Sequence, residues 1–482
     1  MTAGSLPGRR WVGGGFASVA TIGLAIGAVV AATMVDPVVV VAGLLAIIGG
    51  ILILQNPEWG LLAIAAFTVL RLPDVAADFH GAPSLFTPLL GVVLVAVVVQ
   101  ARASGIRPTG GLRAAGLAGS YVLLAMGSLL FADVTAGATS AVVELAKDAA
   151  VAVVVGMLLR STDTLRRLTW VLVLGGGALA SLSVIQFLSG TFDNEFLGFA
   201  QSSVQEIVTG TDDVRIAGPI GDPNFYAQWL VMIVPLAIDR FHAETDRRLR
   251  VLAGASAGLA SLAVIFTFSR GGAVALGVVI LGMLIRHPPK ARTVVAVAIA
   301  GVLAVPLLPP GYVDRLSALA GVGSIDIGVD SSVRGRTAQI GAAWEMFTER
   351  PLTGLGYGTY KVNYPEYTRS LGIEISNKER EAHNLYLEVA AETGIPGVIA
   401  LGTLIVAAFG SLAEGRRQLR RSGRGEGDDT GYAVAMALVG YLITSVFLHM
   451  AFARFAWLLF GIAYAFPSMA RAERRRAREP VT

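Results

Sequence analysis

Long apolar runs dominate the chain. Runs of roughly 17–25 residues, the length that carries a helix across a bilayer, recur between short polar breaks. They predict fourteen spans, near 11–33, 38–54, 57–71, 85–101, 112–131, 140–160, 166–189, 223–239, 250–268, 270–286, 292–308, 394–413, 431–449 and 452–468. The pattern defines an all-α polytopic membrane protein with about 12–14 transmembrane helices. The first span follows Arg9 and Arg10, lacks a convincing cleavage site and is followed at once by another, so it reads as a retained anchor. Two polar interruptions, 190–222 and 309–390, are too long to be turns between spans. The chain therefore divides into an N-terminal bundle over 1–308, a catalytic-loop candidate over 309–393, and C-terminal helices with a basic tail over 394–482.

Composition agrees: 54% of residues are hydrophobic and 15% charged, against about 25% charged in soluble domains. The absence of cysteine excludes disulfides, thiolate catalysis and cysteine-bound metals. The net charge of +4 matters less than its placement. With a cytoplasmic N-terminus, the clusters at Arg102–Arg113, Arg160–Arg167, Arg240–Arg250, Arg286–Arg292, Arg416–Arg424 and Arg471–Arg478 all fall on one side, as the positive-inside rule requires. Both termini are then cytoplasmic and both long loops extracytoplasmic. The basic clusters read as topology signals facing membrane lipids, nucleic acid is no partner, and the Arg/Gly-rich stretch 415–429 reads as a flexible inside loop.

Arginines on the other side need a different reason. Arg270, in Phe268-Ser269-Arg270-Gly271-Gly272, sits at a hairpin so tight that it must lie at the outer edge of the bundle, where a guanidinium faces a polar cavity or a partner. Arg71, Lys147 and Arg454 lie near outer helix ends, the first two within reach of Asp74 and of Glu144 and Asp148. In the large loop, Arg336 to Arg350 reads as a helix stopped by Pro351, with Ile340, Trp344 and Phe347 on one face, lying on the bundle or at the interface. Arg334 and Arg336 stand at its start, where backbone N–H groups favour an anion. A short helix beginning near His383 and ending at Gly394, ahead of Pro396, holds His383 at a helix N-terminus. That position favours a neutral imidazole able to accept a proton. His80, His242, His287 and His449 read as incidental. Tyr357, Tyr360, Tyr364, Tyr367 and Tyr386 offer stacking surfaces for sugars, and Asp212-Asp213 reads as water-facing acid rather than a metal pair.

Four segments in order resemble the O-antigen ligase and polymerase superfamily of bacterial membrane glycosyltransferases. These are Arg215-Ile216-Ala217-Gly218 with Asp222-Pro223-Asn224; Ser269-Arg270-Gly271; Arg336 ahead of Pro351-Leu352-Thr353-Gly354-Leu355-Gly356; and His383-Asn384 followed by Glu392-Thr393-Gly394. The resemblance covers roughly residues 200–400. It implies a GT-C-like fold, in the bacterial cytoplasmic membrane, that moves a glycan from a polyprenyl pyrophosphate, commonly undecaprenyl, to a lipid or glycan acceptor without a metal or other cofactor. It further implies that Arg270 and Arg336 grip the pyrophosphate and that His383 is the base or positioning residue for the acceptor hydroxyl. Arg215, Asn224 and Asn384 come with the matched segments as substrate-binding candidates, joined by Arg334, Tyr357 and Tyr386 from the loop. A transporter or flippase for a lipid-linked glycan is the alternative. It would place its ionisable residues at midmembrane, where this chain has few; a scaffold would not require the Arg270, Arg336 and His383 set.

Overall fold

The computed structural model describes residues 37–104, 109–133, 137–205, 213–290, 331–372, 378–423, 425–449 and 453–476. Fifteen α-helices account for most of them: α1 Pro37–Gln55, α2 Pro57–Leu70, α3 Leu72–His80, α4 Phe86–Ser104, α5 Thr109–Ser128, α6 Ala138–Leu158, α7 Thr162–Ser189, α8 Pro223–Ala243, α9 Arg247–Phe266, α10 Arg270–Arg286, α11 Ser331–Glu349, α12 Tyr360–Leu371, α13 Leu385–Arg421, α14 Gly425–Thr444 and α15 Ala453–Arg476. Five described helices are long and apolar enough to cross a membrane, six if the bent pair α2–α3 is one span. The chain is thus a polytopic helical membrane protein. The expected spans 11–33 and 292–308 lie outside the described residues.

Helix α8 forms the centre. It is buried from Phe225 through Ala237 without a gap and packs against α7, α9, α10 and α14, which is why its sequence is apolar on every face. Asp222 starts it, accepting from the amides of Asn224 and Phe225, with Pro223 in the first turn. Twenty-one helical residues span about 30 Å, so the Asp222 end and the Arg240 end lie on opposite sides of the bundle. Basic clusters far apart in sequence gather at the Arg240 end: Arg166 bonds Glu244, Arg240 bonds Glu426, and Arg286 and Arg416 both reach Asp428. The large loop caps the other end.

Four local features sharpen or correct the sequence reading. The segment 190–222 is not wholly irregular: β1 Gln201–Gln205 and β2 Asp213–Gly218 pair antiparallel. The stretch 415–429 is largely helical, the end of α13 and the start of α14 leaving only a turn at Ser422–Gly423 among its described residues, because Arg416 and Arg420 bond Asp428 across it. In α11 the buried face is Ala338, Ala342, Ala343 and Met346. Small residues let α11 approach α12 and α13, while Ile340 and Trp344, 46% and 56% exposed, turn outward. Finally, the short helix after His383 and the span expected at 394–413 are one broken helix, α13, kinked where Gly394 takes φ 63, ψ −162.

Candidate functional site

The break in α13 explains two motifs. A helix that stops leaves carbonyls without partners, and here the glycine-rich loop supplies them: Leu355 N donates to Ala391 O and Gly356 N to Glu392 O, both at 2.9 Å, while Ile395 N returns to Pro351 O at 2.8 Å. Tyr360 N also donates to the Glu392 carboxylate at 3.0 Å. At Gly354 and Gly394, both with positive φ, a Cβ would fall 2.2 Å from Glu392 C and 2.6 Å from Pro351 O. Pro351-Leu352-Thr353-Gly354-Leu355-Gly356 and Glu392-Thr393-Gly394 therefore form one backbone joint, which fixes the short N-terminal piece of α13 and the residues before it.

That joint helps aim the start of α13 at the starts of two other helices. Asn384 caps α13, accepting from Tyr386 N and Leu387 N at 3.0 Å, and donates to Val446 O at 3.1 Å. Ser445 O accepts from Leu385 N, and Ser445 Oγ from Gln228 of α8 at 3.2 Å. Ser269 caps α10 through Gly272 N; Gly271 lies against Phe447, and Gly272 against Ala227 of α8. Arg215 of β2 closes the ring, donating to Thr267 O at 2.7 Å and to Asn224 Oδ1 at 3.1 Å. The N-termini of α8, α10 and α13, with their outward N–H groups and partial positive charge, thus meet at one end of the bundle. Phe268 and His383 both hold positive φ there, 53° and 46°, conformations that cost non-glycine residues energy and cluster at functional sites.

Within this frame the expected residues fall as follows. His383, partly buried, presents its ring edge to His449 at 5.5 Å and 87°. Burial, then the charges of Arg336 and Arg380, lower its pKa from the ordinary value, with Asp222 opposing. Its imidazole is neutral near pH 7. Arg336, exposed on the first turns of α11, acts on Arg215 as well, whose pKa is lowered chiefly by burial, with Asp222 opposing and Arg336 adding. Arg336 is therefore electrostatically coupled to both Arg215 and His383. Arg270 opens α10 with its side chain exposed and no hydrogen bond or ion pair among the described residues. The side chain of Arg334 lies outside the described residues. Tyr357 is half-buried and lines a cavity, Tyr386 donates to Leu442 O at 2.8 Å, and Tyr360 and Tyr364 are buried beneath the loop. Arg71 and Arg454 take the structural role expected of them, Arg71 bonding Asp74 and Arg454 bonding Asp148 at 3.0 Å each, and Lys147 bonds Glu144.

Sequence reasoning missed His449 and Arg380. His449 stands in the turn after α14, edge-on to Phe225 at 4.8 Å and to His383. Burial, with His383 and Lys361, pushes its pKa down to about 3. Its position at the outer end of an expected span was the one signal available. Arg380 packs on Gly335, where a Cβ would sit 3.1 Å from its Nη1, and nothing in its charged surroundings distinguished it.

The site also holds two cavities. One of about 290 Å³ opens beside His449, between α6, the loop at Tyr357–Lys361 and the start of α13. The other, about 180 Å³, lies behind Phe225 and Gln228 and shares Glu144 and Asp148 with the first. Residues 255–402 match the O-antigen ligase family model, a stretch that contains Arg270, Arg336 and His383 and supports the resemblance to the O-antigen ligase and polymerase superfamily. A comparison with curated proteins finds no match.

Proposed function

We propose that the protein transfers a glycan from a polyprenyl-pyrophosphate carrier to an acceptor hydroxyl, as an O-antigen ligase or a polysaccharide polymerase does, at the outer face of the bacterial cytoplasmic membrane. The observation that carries this reading is the placement of His383 where three helix N-termini converge, with burial and the charges of Arg336 and Arg380 lowering its pKa in favour of the neutral imidazole. The acceptor oxygen attacks the anomeric carbon from the face opposite the phosphate, and the bond from that carbon to the phosphate oxygen breaks. The electron pair leaves with the pyrophosphate, and the acceptor proton passes to His383. Arg270 and Arg336 stabilise the departing charge, a task for which paired guanidiniums need no divalent ion. Arg215 and Asn224 set the floor of the anion site, with Arg334, Asn384, Tyr357 and Tyr386 as its further substrate-facing candidates. Attack from the opposite face inverts the anomeric centre.

The test is purified protein in a bilayer with a polyprenyl-pyrophosphate glycan. Acceptor-linked glycan and free polyprenyl pyrophosphate should appear together. Movement of intact donor between leaflets with no bond cleaved would overturn the reading in favour of a flippase.

A further inference from the structure

The 290 Å³ cavity beside His449 differs in chemistry from the arginine-rich site next to it. Its walls carry Glu144, Asp148, Glu381, Glu388 and Glu392, with Lys361 and Tyr357. Several of these carboxylates are braced by cations: Glu144 by Lys147, Asp148 by Arg454 at 3.0 Å and Glu381 by Lys361 at 3.4 Å. Such a wall repels a pyrophosphate, whereas carboxylate oxygens accept hydrogen bonds from hydroxyls and an aromatic face stacks on a sugar ring. The volume suits a small ligand, close to the lower end of the usual range of about 300–1,000 Å³. His449 lines the cavity; its side chain is only 10% exposed and its Nε2 lies 3.9 Å from the Glu381 carboxylate. The opposite edge of its surroundings is the ring of His383.

Building on the transferase reading, we propose that this cavity is the acceptor subsite, holding a neutral polyhydroxylated sugar with its hydroxyls on Glu144, Glu381 and Glu388 and its ring against Tyr357. Donor and acceptor then occupy compartments of opposite charge that meet at His383 and His449. The pyrophosphate is kept from the acceptor subsite, and the attacking hydroxyl arrives at His449, whose ring packs on that of the base, His383. The experiment needs no turnover. Full-length protein in a bilayer is labelled with a water-soluble carbodiimide and an amine, and modification of each carboxylate is read by peptide mass spectrometry. Probes are the methyl and octyl glycosides of glucose, galactose, mannose and N-acetylglucosamine, and polyprenyl pyrophosphate without a sugar. At least one glycoside should protect Glu144, Glu381 and Glu388, and the sugar-free pyrophosphate should not. In the Glu388→Gln protein, protection of Glu144 and Glu381 should require about tenfold more glycoside, the loss of one charge-assisted hydrogen bond. The proposal is overturned if no glycoside protects, or if the pyrophosphate lipid protects as well as the sugars. Protection without any transfer in the bilayer assay would instead remove the transferase reading and leave a sugar-binding cavity.

Discussion

The two ends of the bundle use arginine in opposite ways. At one end Arg240, 1% exposed, is enclosed by Asp239 at 2.8 Å, Glu426 at 3.0 Å and Glu244 at 3.6 Å. Arg286 and Arg416 converge on Asp428 at 2.7 Å and 2.9 Å. Charge there is neutralised inside the fold. At the loop end Arg215 donates to neutral oxygens of Thr267 and Asn224, Arg270 and Arg336 are exposed, and helix N-termini add positive potential. Arg270 has no hydrogen bond or ion pair among the described residues, whereas Arg240, Arg286 and Arg416 at the first end are each held by carboxylates. The first end holds helices together, and the second is where we propose that an anion binds.

That contrast can be broken most severely at His383. Replacing it by alanine should lower single-turnover rate by about 10²–10⁴-fold, the usual worth of a general base, while donor affinity holds because the arginines remain. Collapse of donor binding with a normal rate per bound donor would make His383 a donor ligand instead. The pH profile carries the same information. The pKa of His383 lies below the ordinary value of about 6.5 because it is buried beside guanidiniums. Activity should therefore stay level as pH falls through that value and drop only at lower pH, as protonation removes the accepting lone pair. Next in size, Arg336→Ala or Arg270→Ala should cost about 10²–10³-fold in transfer with insertion and expression unchanged. Lysine should rescue poorly, since it lacks the planar two-point contact. Normal product from either alanine protein would end the pyrophosphate assignment.

The opposite end should fail differently. Arg240→Ala strands Asp239 in the core and should cost about 3–5 kcal/mol of stability, read as a lowered melting temperature, with normal turnover per folded molecule. A rate defect in folded Arg240→Ala protein would mean that the two ends are coupled and the division of labour is wrong. Gly394→Ala tests the joint between them. Its positive φ and the approach of Pro351 O should cost about 1–3 kcal/mol and loosen the catalytic loop, so that a melting shift comes with a smaller loss of rate.

The sequence made the frame easier to read than the site, for a physical reason. Apolar length and a few capping residues decide where a membrane helix begins, and α2, α7, α8, α9 and α10 lie close to where apolar runs placed them. The placement of Arg270 at a tight hairpin and of His383 at a helix start was legible, because both are local properties of the sequence. The shared face of Ile340 and Trp344 on α11 was legible from their spacing, whereas the buried face of Ala338, Ala342 and Ala343, selected by close helix packing, carries no strong apolar signal. His449 was invisible for another reason: its neighbours, Phe225 and His383, come from distant parts of the chain, and no spacing encodes a contact that only packing makes. The Pro351–Gly356 and Glu392–Gly394 motifs carried the family resemblance without a stated role, and their backbone bonds make them architecture.

The smallest expected effect is the most discriminating for mechanism. Transfer should survive excess chelator unchanged, because in the proposed mechanism guanidiniums and helix N-termini supply the positive charge and three nearby carboxylates are paired with cations. Asp74 is held by Arg71 at 3.0 Å, Asp148 by Arg454 at 3.0 Å and Glu381 by Lys361 at 3.4 Å. A divalent ion drawn to those carboxylates would have to displace cations that fix α3, α6 and the loop, and would sit in one of the two cavities, which Asp74 and Asp148 or Asp148 and Glu381 line. Activity lost in EDTA and restored by magnesium or manganese would therefore require another ligand set. Asp213 and Asp212, the latter outside the described residues, would be the first to test by alanine substitution, since Asp213 opens β2, the strand that carries Arg215. If neither substitution removed the metal requirement, the ion would belong with the donor's own pyrophosphate, and Arg270 and Arg336 would share its charge instead of replacing it.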